Sequence, residues 1–392
     1  MKEIKVKPTR IPIYRDAAFF LEDLETIKKA FKDEENYSRS PENYLYSRYR
    51  NPTVVAAEEQ IMELEGCKWA LLTQSGMSAI DMALSIFQRG EETGPWLFFS
   101  EIYGGTNTYI DRVLEYRRGI KIKRFYPSEY RYDLDQLEKV LAEERPQLVY
   151  FEALSNPMLI AADCVSIIEM AKKAGAVVIA DNTFATPYLW KPLNHGADIV
   201  LHSVTKYLSG HNNITAGVVC GNDPQKEKDA IEYRKYVGHL FSPDDAYRLG
   251  TQLSTFELRF ERQCRNAAQL ARTLAAHKKV EKILYPGLES HPTHKEALKL
   301  FKGKGFGAMI TFDLKGENPE KKSEAARRFI SAVSQQIPLV PTLGAVETLM
   351  LHVESVWGDK YPFPGMFRFS VGIENYQRLE AAVLNGLDQI DL

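Results

Sequence analysis

The sequence predicts an α/β protein, with a mostly parallel sheet covered by helices and a smaller α+β domain at its C-terminal end. Three observations predict it. Short, uninterrupted apolar runs recur between residues 68 and 220, as expected of strands buried on both faces. Stretches with a helical apolar stripe separate several of these runs. Near residue 245 the pattern turns to long helices followed by isolated strand-like runs. A chain of 392 residues is long enough for more than one core.

The first 50 residues are rich in Tyr, Arg and Pro, with weak periodicity, and read as an arm that packs on something else. Residues 53–65, TVVAAEEQIMELE, place Val54, Ala57, Ile61 and Leu64 on one helix face, with Gly66 as the stop. KWALLT is a short strand, and TQSGMSAIDMALSIF turns straight into a helix that aligns Ile80, Leu84 and Phe87. WLFFS, QLVYFE, AVVIAD, DIVLHS and AGVVC are further strands, with YDLDQLEKVLAEE and CVSIIEMAKKAG as helices among them. The stretch from Asp245 to His277 reads as one long helix or two. AMITFDL and FRFSVGI then flank the helical EKKSEAARRFISAVSQ. The expected division is an arm at 1–50, a large domain at 51–245 and a small domain at 246–392.

The composition excludes several classes of function. The formal charge is −2 with no dense basic tract, which gives no support to a nucleic-acid partner. Cys67, Cys164, Cys220 and Cys264 are far apart and form no CxxC, which speaks against a zinc site or a disulfide framework and suits a reducing, cytoplasmic setting. No apolar run has signal-peptide or membrane-span length, so no membrane association is expected.

In an open parallel sheet, ligands bind beyond the carboxyl ends of the strands. Those ends carry Ser75-Gly76-Met77, Glu101 to Thr106 with Tyr103 among them, Ser155-Asn156-Pro157, Asp181-Asn182-Thr183, and Ser203, Thr205 and Lys206. Singly, each has an ordinary reading: a solvated loop lysine, a turn-forming aspartate, local hydroxyl bonds, a packing tyrosine. Jointly they suit pyridoxal phosphate (PLP). That cofactor needs a lysine amine for its aldehyde, an anion beside its pyridine nitrogen, N–H groups of a helix start for its phosphate, and an aromatic ring on its face.

ADNTFATPYLWKPLNHGADIVLHSVTKYLSGH (180–211) resembles the signature of the PLP enzymes of cysteine and methionine metabolism. That trans-sulfuration family includes cystathionine γ-synthase, cystathionine γ-lyase and methionine γ-lyase. SRYRNPT, TQSGMSAI, YGGT, SNPM, LFSPDDAY, YPGLESHPTH and RFSVGIE follow in the family's order, so the resemblance runs from about Ile11 to Glu374. It implies the aspartate aminotransferase-like fold (fold type I), with a seven-stranded sheet in the large domain. It also implies that Lys206 is the Schiff-base lysine, that Ser203, Thr205, Gly76 and Met77 face the phosphate, and that Asp181 pairs with the pyridine nitrogen. Tyr103 would stack on the ring and handle protons. Asn156 would lie near the ring hydroxyl and the substrate carboxylate, Arg368 would clamp that carboxylate, and Thr342 would lie beside the substrate. YSR occurs twice, but only the second copy has NPT at the family's offset. Tyr46 and Arg48, rather than Tyr37 and Arg39, are therefore expected to reach the phosphate of a neighbouring subunit, in a homotetramer built as a dimer of dimers.

The expected activity is that of a carbon–sulfur lyase or γ-replacement enzyme acting on a small amino acid. A specialised lyase for an unusual γ-substituent and a catalytically silent PLP-binding protein are the alternatives. KYLSGHNNITAG and GAVETL lean toward methionine γ-lyase. Gly105, where that enzyme carries Cys, resembles the cystathionine enzymes, yet Pro341 stands where those usually have Glu. Arg234-Lys235 replaces a Lys-Asp pair. The segment HVESVWGDKYPFPGMFR is shorter than usual and aromatic, with Trp357, Tyr361, Phe363 and Phe367. The choice of substrate therefore stays open at the level of sequence.

Overall fold

A computed structural model describes residues 8–36, 41–88 and 94–390. Seven strands form the large sheet: β1 (Trp69–Thr73), β2 (Trp96–Phe99), β3 (Ile122–Phe125), β4 (Leu148–Glu152), β5 (Val177–Asp181), β6 (Ile199–His202) and β7 (Gly217–Gly221). Their order is β1-β7-β6-β5-β4-β2-β3. Only β7 runs against its neighbours, pairing antiparallel with β1 and β6. Strands β1, β2, β4, β6 and β7 are buried along their whole length, which is why they read as unbroken apolar runs.

The missing seventh run is β3. Its sequence IKRF sets two cations between two apolar residues, and burial is complete only at Phe125. It lies at the sheet edge, where polar side chains reach water.

Capping explains the helix that precedes β1. Asn51 accepts from the Thr53 N–H, Pro52 occupies the first turn, and Gly66 closes the helix in the left-handed region at φ 72°. In the arm, the helix Leu24–Glu35 departs from the weak periodicity of the sequence. Asp23 caps it, and its Leu24, Ile27 and Phe31 lie largely outside the core, so no buried stripe marks it. Tyr37 and Arg39 lie outside the described residues.

The small sheet is antiparallel. It has the order β10 (Leu349–His352), β11 (Met366–Ser370), β9 (Met309–Leu314), β8 (Val280–Leu284). Helices Phe256–Ala276, Pro319–Val333 and Tyr376–Asp388 share its core, in which Phe312, Phe329, Phe367 and Phe369 pack ring on ring. Aromatic pairs of this kind each add about 0.5–1.5 kcal/mol beyond area burial. The long helical stretch after residue 242 is two helices, Pro243–Leu253 and Phe256–Ala276, with Ser254 and Thr255 between them.

A second, larger core surrounds the seven-stranded sheet. It also takes in Val353, Tyr361 and Met366, with Trp357 and Phe363 packed against it. The connection from β10 to β11 thus leaves the small sheet, packs on the large core and returns. Among the described residues no helix is long and apolar enough to cross a membrane.

Candidate active site

The carboxyl ends of β4, β5 and β6 meet the middle of β11 around a cavity of about 260 Å³. Lys206 enters from the turn after β6, where its N–H donates to the Ser203 carbonyl at 3.1 Å and its own carbonyl accepts from Gly210 at 2.8 Å. Its Nζ donates to Thr342 Oγ1 at 2.9 Å. Burial, and secondarily the positive charge of Arg368, lower the Lys206 ammonium to about 8. Gly344 makes this contact possible. It sits at φ +85°, and a Cβ there would lie 2.6 Å from the Tyr207 nitrogen and 2.7 Å from the Lys206 carbonyl carbon.

Arg368 comes from the middle of β11 and is 4 % exposed. One terminal nitrogen donates to Asn156 Oδ1 at 2.9 Å and the other to the Thr342 carbonyl at 3.2 Å, while Nε has no partner. Burial lowers the guanidinium to about 10. Thr342 therefore touches both cations, Lys206 through its hydroxyl and Arg368 through its carbonyl. Asn156 begins a cis peptide with Pro157.

Asp181 ends β5, where it accepts from the Thr183 hydroxyl at 2.6 Å, the Thr183 N–H at 3.0 Å and the Tyr150 hydroxyl at 3.3 Å. Burial raises its carboxyl above the ordinary range. Its register partner on β4, Glu152, is also buried. Glu152 accepts the Tyr103 N–H at 2.6 Å, and burial, reinforced by the charge of Asp181, pushes its carboxyl well up.

The helix Gly76–Ser85 points its first turn at the same cavity. Ser75 caps it, accepting from the Ser78 N–H at 3.1 Å. A Cβ on Gly76 would stand 2.9 Å from Ser203 Oγ, so only glycine keeps that corner open. The leading N–H groups of a helix have no intrahelical partner, which gives Gly76 and Met77 the chemistry to meet an anion. Thr205 lines the cavity, but its hydroxyl already donates to the Ala216 carbonyl at 3.1 Å and accepts from the Ala216 N–H at 2.9 Å. Tyr103 stands at the mouth, 48 % exposed.

The structure thus brings together Gly76, Met77, Tyr103, Asn156, Asp181, Ser203, Thr205, Lys206, Thr342 and Arg368. It does not bring Tyr46 and Arg48 to them. Arg48 lies against the rings of Tyr46 and Tyr49, at 5.5 and 5.1 Å, and donates to the Lys235 carbonyl at 2.8 Å. Glu152, Thr183, Ser75, Leu154 and Phe184 are cavity residues to which the sequence reading gave no role. Glu152 carried a usable signal, an acid ending an apolar run as Asp181 does.

This donor set fits PLP. A buried carboxylate whose partners are hydroxyls and an amide lacks positive charge, and a protonated ring nitrogen supplies it. A lysine of depressed basicity is ready for an aldehyde. A corner that a Cβ would fill, at the start of a helix, suits a phosphate.

The sequence profile of the Cys/Met metabolism PLP-dependent enzymes matches residues 2–388. An L-methionine gamma-lyase of Fusobacterium nucleatum subsp. polymorphum is 35 % identical, over 97 % of this chain and 93 % of that protein. A cystathionine beta-lyase of Lactococcus lactis subsp. cremoris (strain MG1363) is 36 % identical, over 89 % of this chain and 90 % of its own length. Among solved structures, a cystathionine gamma synthase from Xanthomonas oryzae pv. oryzae, in complex with aminoacrylate and cysteine, superposes with a TM-score of 0.84 at 30 % identity. That match covers 97 % of this chain and 92 % of the other.

Proposed function

This chain belongs to the Cys/Met metabolism PLP-dependent enzymes, and from that premise we propose that it is a carbon–sulfur lyase that splits sulfur from the β or γ carbon of a small L-amino acid. The observation that carries the proposal is the meeting, in one cavity, of a lysine lowered to about 8 with a buried arginine whose Nε is unpaired. When bound, PLP supplies an electron sink that stabilises negative charge at the substrate α carbon.

The chain's own residues do the rest. Lys206 would hold the cofactor covalently, and its Nζ would take the α-proton of a bound substrate. Its partner Thr342 Oγ1 keeps that nitrogen over the cavity. Arg368 and Asn156 bind the substrate carboxylate, a task for which the planar guanidinium is suited. Asp181 would hold the positive charge of the ring nitrogen, and Ser203 and the N–H groups of Gly76 and Met77 would take the phosphate, joined by Thr205 if its hydroxyl gives up the Ala216 carbonyl. Tyr103 stacks on the ring and gives a proton to the departing sulfur. For γ cleavage Lys206 must also move a proton off the β carbon; for β cleavage it need not.

Tyr46 and Arg48 serve the phosphate site of a neighbouring copy, within a homotetramer built from dimers. Their position outside the chain's own cavity supports this reading. The units are an arm at 1–50, a large domain at 51–245 and a small domain at 246–392; a core that lies wholly within the last supports the small domain, although the larger core also takes in Phe256, Phe260 and Phe301 across that boundary. The setting is cytoplasmic, in keeping with four unpaired cysteines.

Cystathionine is the informative substrate. Cleavage on the β side gives pyruvate, ammonia and homocysteine, whereas cleavage on the γ side gives 2-oxobutyrate, ammonia and cysteine. Methionine gives methanethiol only by γ cleavage. Release of thiol and 2-oxoacid in equal amounts from either compound is the expected result. A PLP-loaded enzyme that releases no thiol from cystathionine or methionine and no sulfide from homocysteine overturns the proposal.

A further inference from the structure

The β10–β11 connection carries an aromatic cluster that the proposed chemistry leaves without a role. His352 closes it at both ends: Nδ1 accepts from the Ser355 N–H at 3.3 Å, and Nε2 donates to the Pro364 carbonyl at 3.0 Å. At its centre, Lys360 Nζ lies 3.3 Å from Glu101 Oε1, and the Tyr361 hydroxyl donates to the same carboxylate. Glu101 belongs to the turn that presents Tyr103, two residues before it. The connection is therefore fastened to the loop that carries Tyr103, and Trp357 is held between these anchors, its ring 6.1 Å from that of Tyr361 in an edge-to-face contact.

From there Trp357 reaches the bottom of the site. The Arg368 Cζ lies 5.6 Å from the Trp357 ring centroid, over its face. On its other side, the Trp357 Nε1 would be 3.9 Å from a Cβ on Gly104, so the indole is seated against the backbone next to Tyr103. Among the described residues Arg368 has no ion-pair partner, although it is buried. An acid placed there would neutralise the guanidinium and occupy the N–H groups that a substrate carboxylate needs. An aromatic face stabilises the cation from above and leaves the in-plane donors, including the unpaired Nε, free.

We infer that Trp357 is a positioning residue for the carboxylate subsite: its ring face fixes the plane of the Arg368 guanidinium and turns the free N–H edge toward the substrate carboxylate. The inference rests on the reading of Arg368 as the carboxylate clamp. It makes Trp357 selective for the free acid of an amino acid over its carboxamide, whatever the sulfur substituent.

The test uses the PLP-loaded enzyme and L-norleucine, a methionine isostere that cannot release a thiol. Binding is followed by intrinsic fluorescence and by cofactor absorbance. Trp69, Trp96 and Trp190 are buried, so Trp357 is the tryptophan placed to report on the cavity. Trp357→Ala should raise the Kd of norleucine about tenfold, between the sizes of an exposed and a desolvated cation–π contact. Trp357→Phe should restore most of the affinity while abolishing the fluorescence change. For methionine or cystathionine, whichever the enzyme cleaves, KM should rise with kcat little altered. Binding of norleucinamide should be the same in wild type and Trp357→Ala.

Unchanged norleucine affinity in Trp357→Ala, with a loss in Arg368→Lys, overturns the role of Trp357 and leaves the clamp standing. Unchanged affinity in Arg368→Lys overturns the clamp itself. Equal loss for acid and amide, or no recovery with Phe, makes Trp357 an ordinary wall residue and overturns the inference.

Discussion

Arg368 is enclosed at the floor of the cavity, with an amide, a carbonyl and an indole face around it and one N–H left over. Arg48 is half-buried at the arm corner, between two tyrosine rings and a backbone carbonyl, beside a Lys235 that pairs with Glu34 at 3.1 Å. Both guanidiniums are held by neutral groups, which leaves each able to meet an anion. They differ in where that anion must come from. Arg368 lines its own chain's cavity, whereas Arg48 is not among the described residues that line it. On the proposed reading, one charge serves the chain that carries it and the other is offered to a neighbour.

Substitution at the two positions should therefore fail in different ways. Arg368→Lys keeps the charge and loses the planar fork. We expect kcat/KM to fall by about 2–4 kcal/mol, or roughly 30- to 1,000-fold, with cofactor absorbance retained. Steady-state kinetics beside a visible spectrum check both halves of that statement. Arg48→Ala should instead weaken PLP retention by roughly 10- to 100-fold, as for one lost charge-assisted hydrogen bond, and dialysis followed by absorbance measures it.

Mixing sharpens the contrast. Arg48→Ala and Lys206→Ala are each expected to be inactive, and subunit exchange between them should return at most roughly a quarter of wild-type activity by random pairing. Arg368→Lys mixed with Lys206→Ala should not recover, because both residues serve the same chain's cavity and each chain of a mixed pair carries one of the two lesions. The corner residue separates from the floor residue in a third mixture, Arg48→Ala with Arg368→Lys. A mixed dimer then places both lesions in one site and leaves the other whole only if Arg48 acts across the interface. No recovery there, with exchange shown independently, would assign the arm to its own chain.

A smaller effect concerns pH. Uptake of PLP by the apoprotein requires the neutral Lys206 amine. With the ammonium lowered to about 8, the neutral fraction grows about tenfold per unit as pH rises toward 8, then levels off. Arg368→Met removes a positive neighbour, so it should move that midpoint upward. Because burial is the larger cause, the midpoint should stay below the ordinary lysine value. Stopped-flow absorbance across pH 6–10 reads it. A midpoint unmoved by Arg368→Met would show that the two cations do not sense each other.

The smallest effect belongs to Glu152. Burial, reinforced by the charge of Asp181, holds its carboxyl well above the usual range, and it accepts the Tyr103 N–H. Glu152→Gln keeps that acceptor, and should change kcat/KM by less than about 1 kcal/mol. Glu152→Ala should lose more, by releasing Tyr103.

The same contrast shows what was legible in the sequence. Lys206, Asp181 and Asn156 stand at or just past the ends of unbroken apolar runs, so strand-end reading finds them without a structure. β3 escaped because IKRF breaks its apolar run with two cations at a sheet edge, and β8 because VEKIL carries two charges on partly exposed positions. β10 is only four residues long. The contact of Trp357 with Arg368 could not be read at all. It depends on a connection that leaves one core for another, and no local periodicity encodes that path. Tyr46 and Arg48 were legible only through a motif, since the arm has no buried stripe to place them.

The order of the strands has a consequence for how the molecule is made. β1 ends at Thr73, but its neighbour in the sheet, β7, begins at Gly217. At about 5–20 residues per second on the ribosome, β1 waits on the order of ten seconds for its partner. The helix Gly76–Ser85 waits with it, because Gly217 is the residue that admits Ala79 so closely. Arg368 emerges later still. The nascent chain thus has a lysine before it has a floor, and a phosphate corner with nothing to close it. Long-range pairing of this kind forms slowly. Cofactor capture is therefore among the last events in the biogenesis of this protein, and the supply of cofactor acts on finished chains, not growing ones.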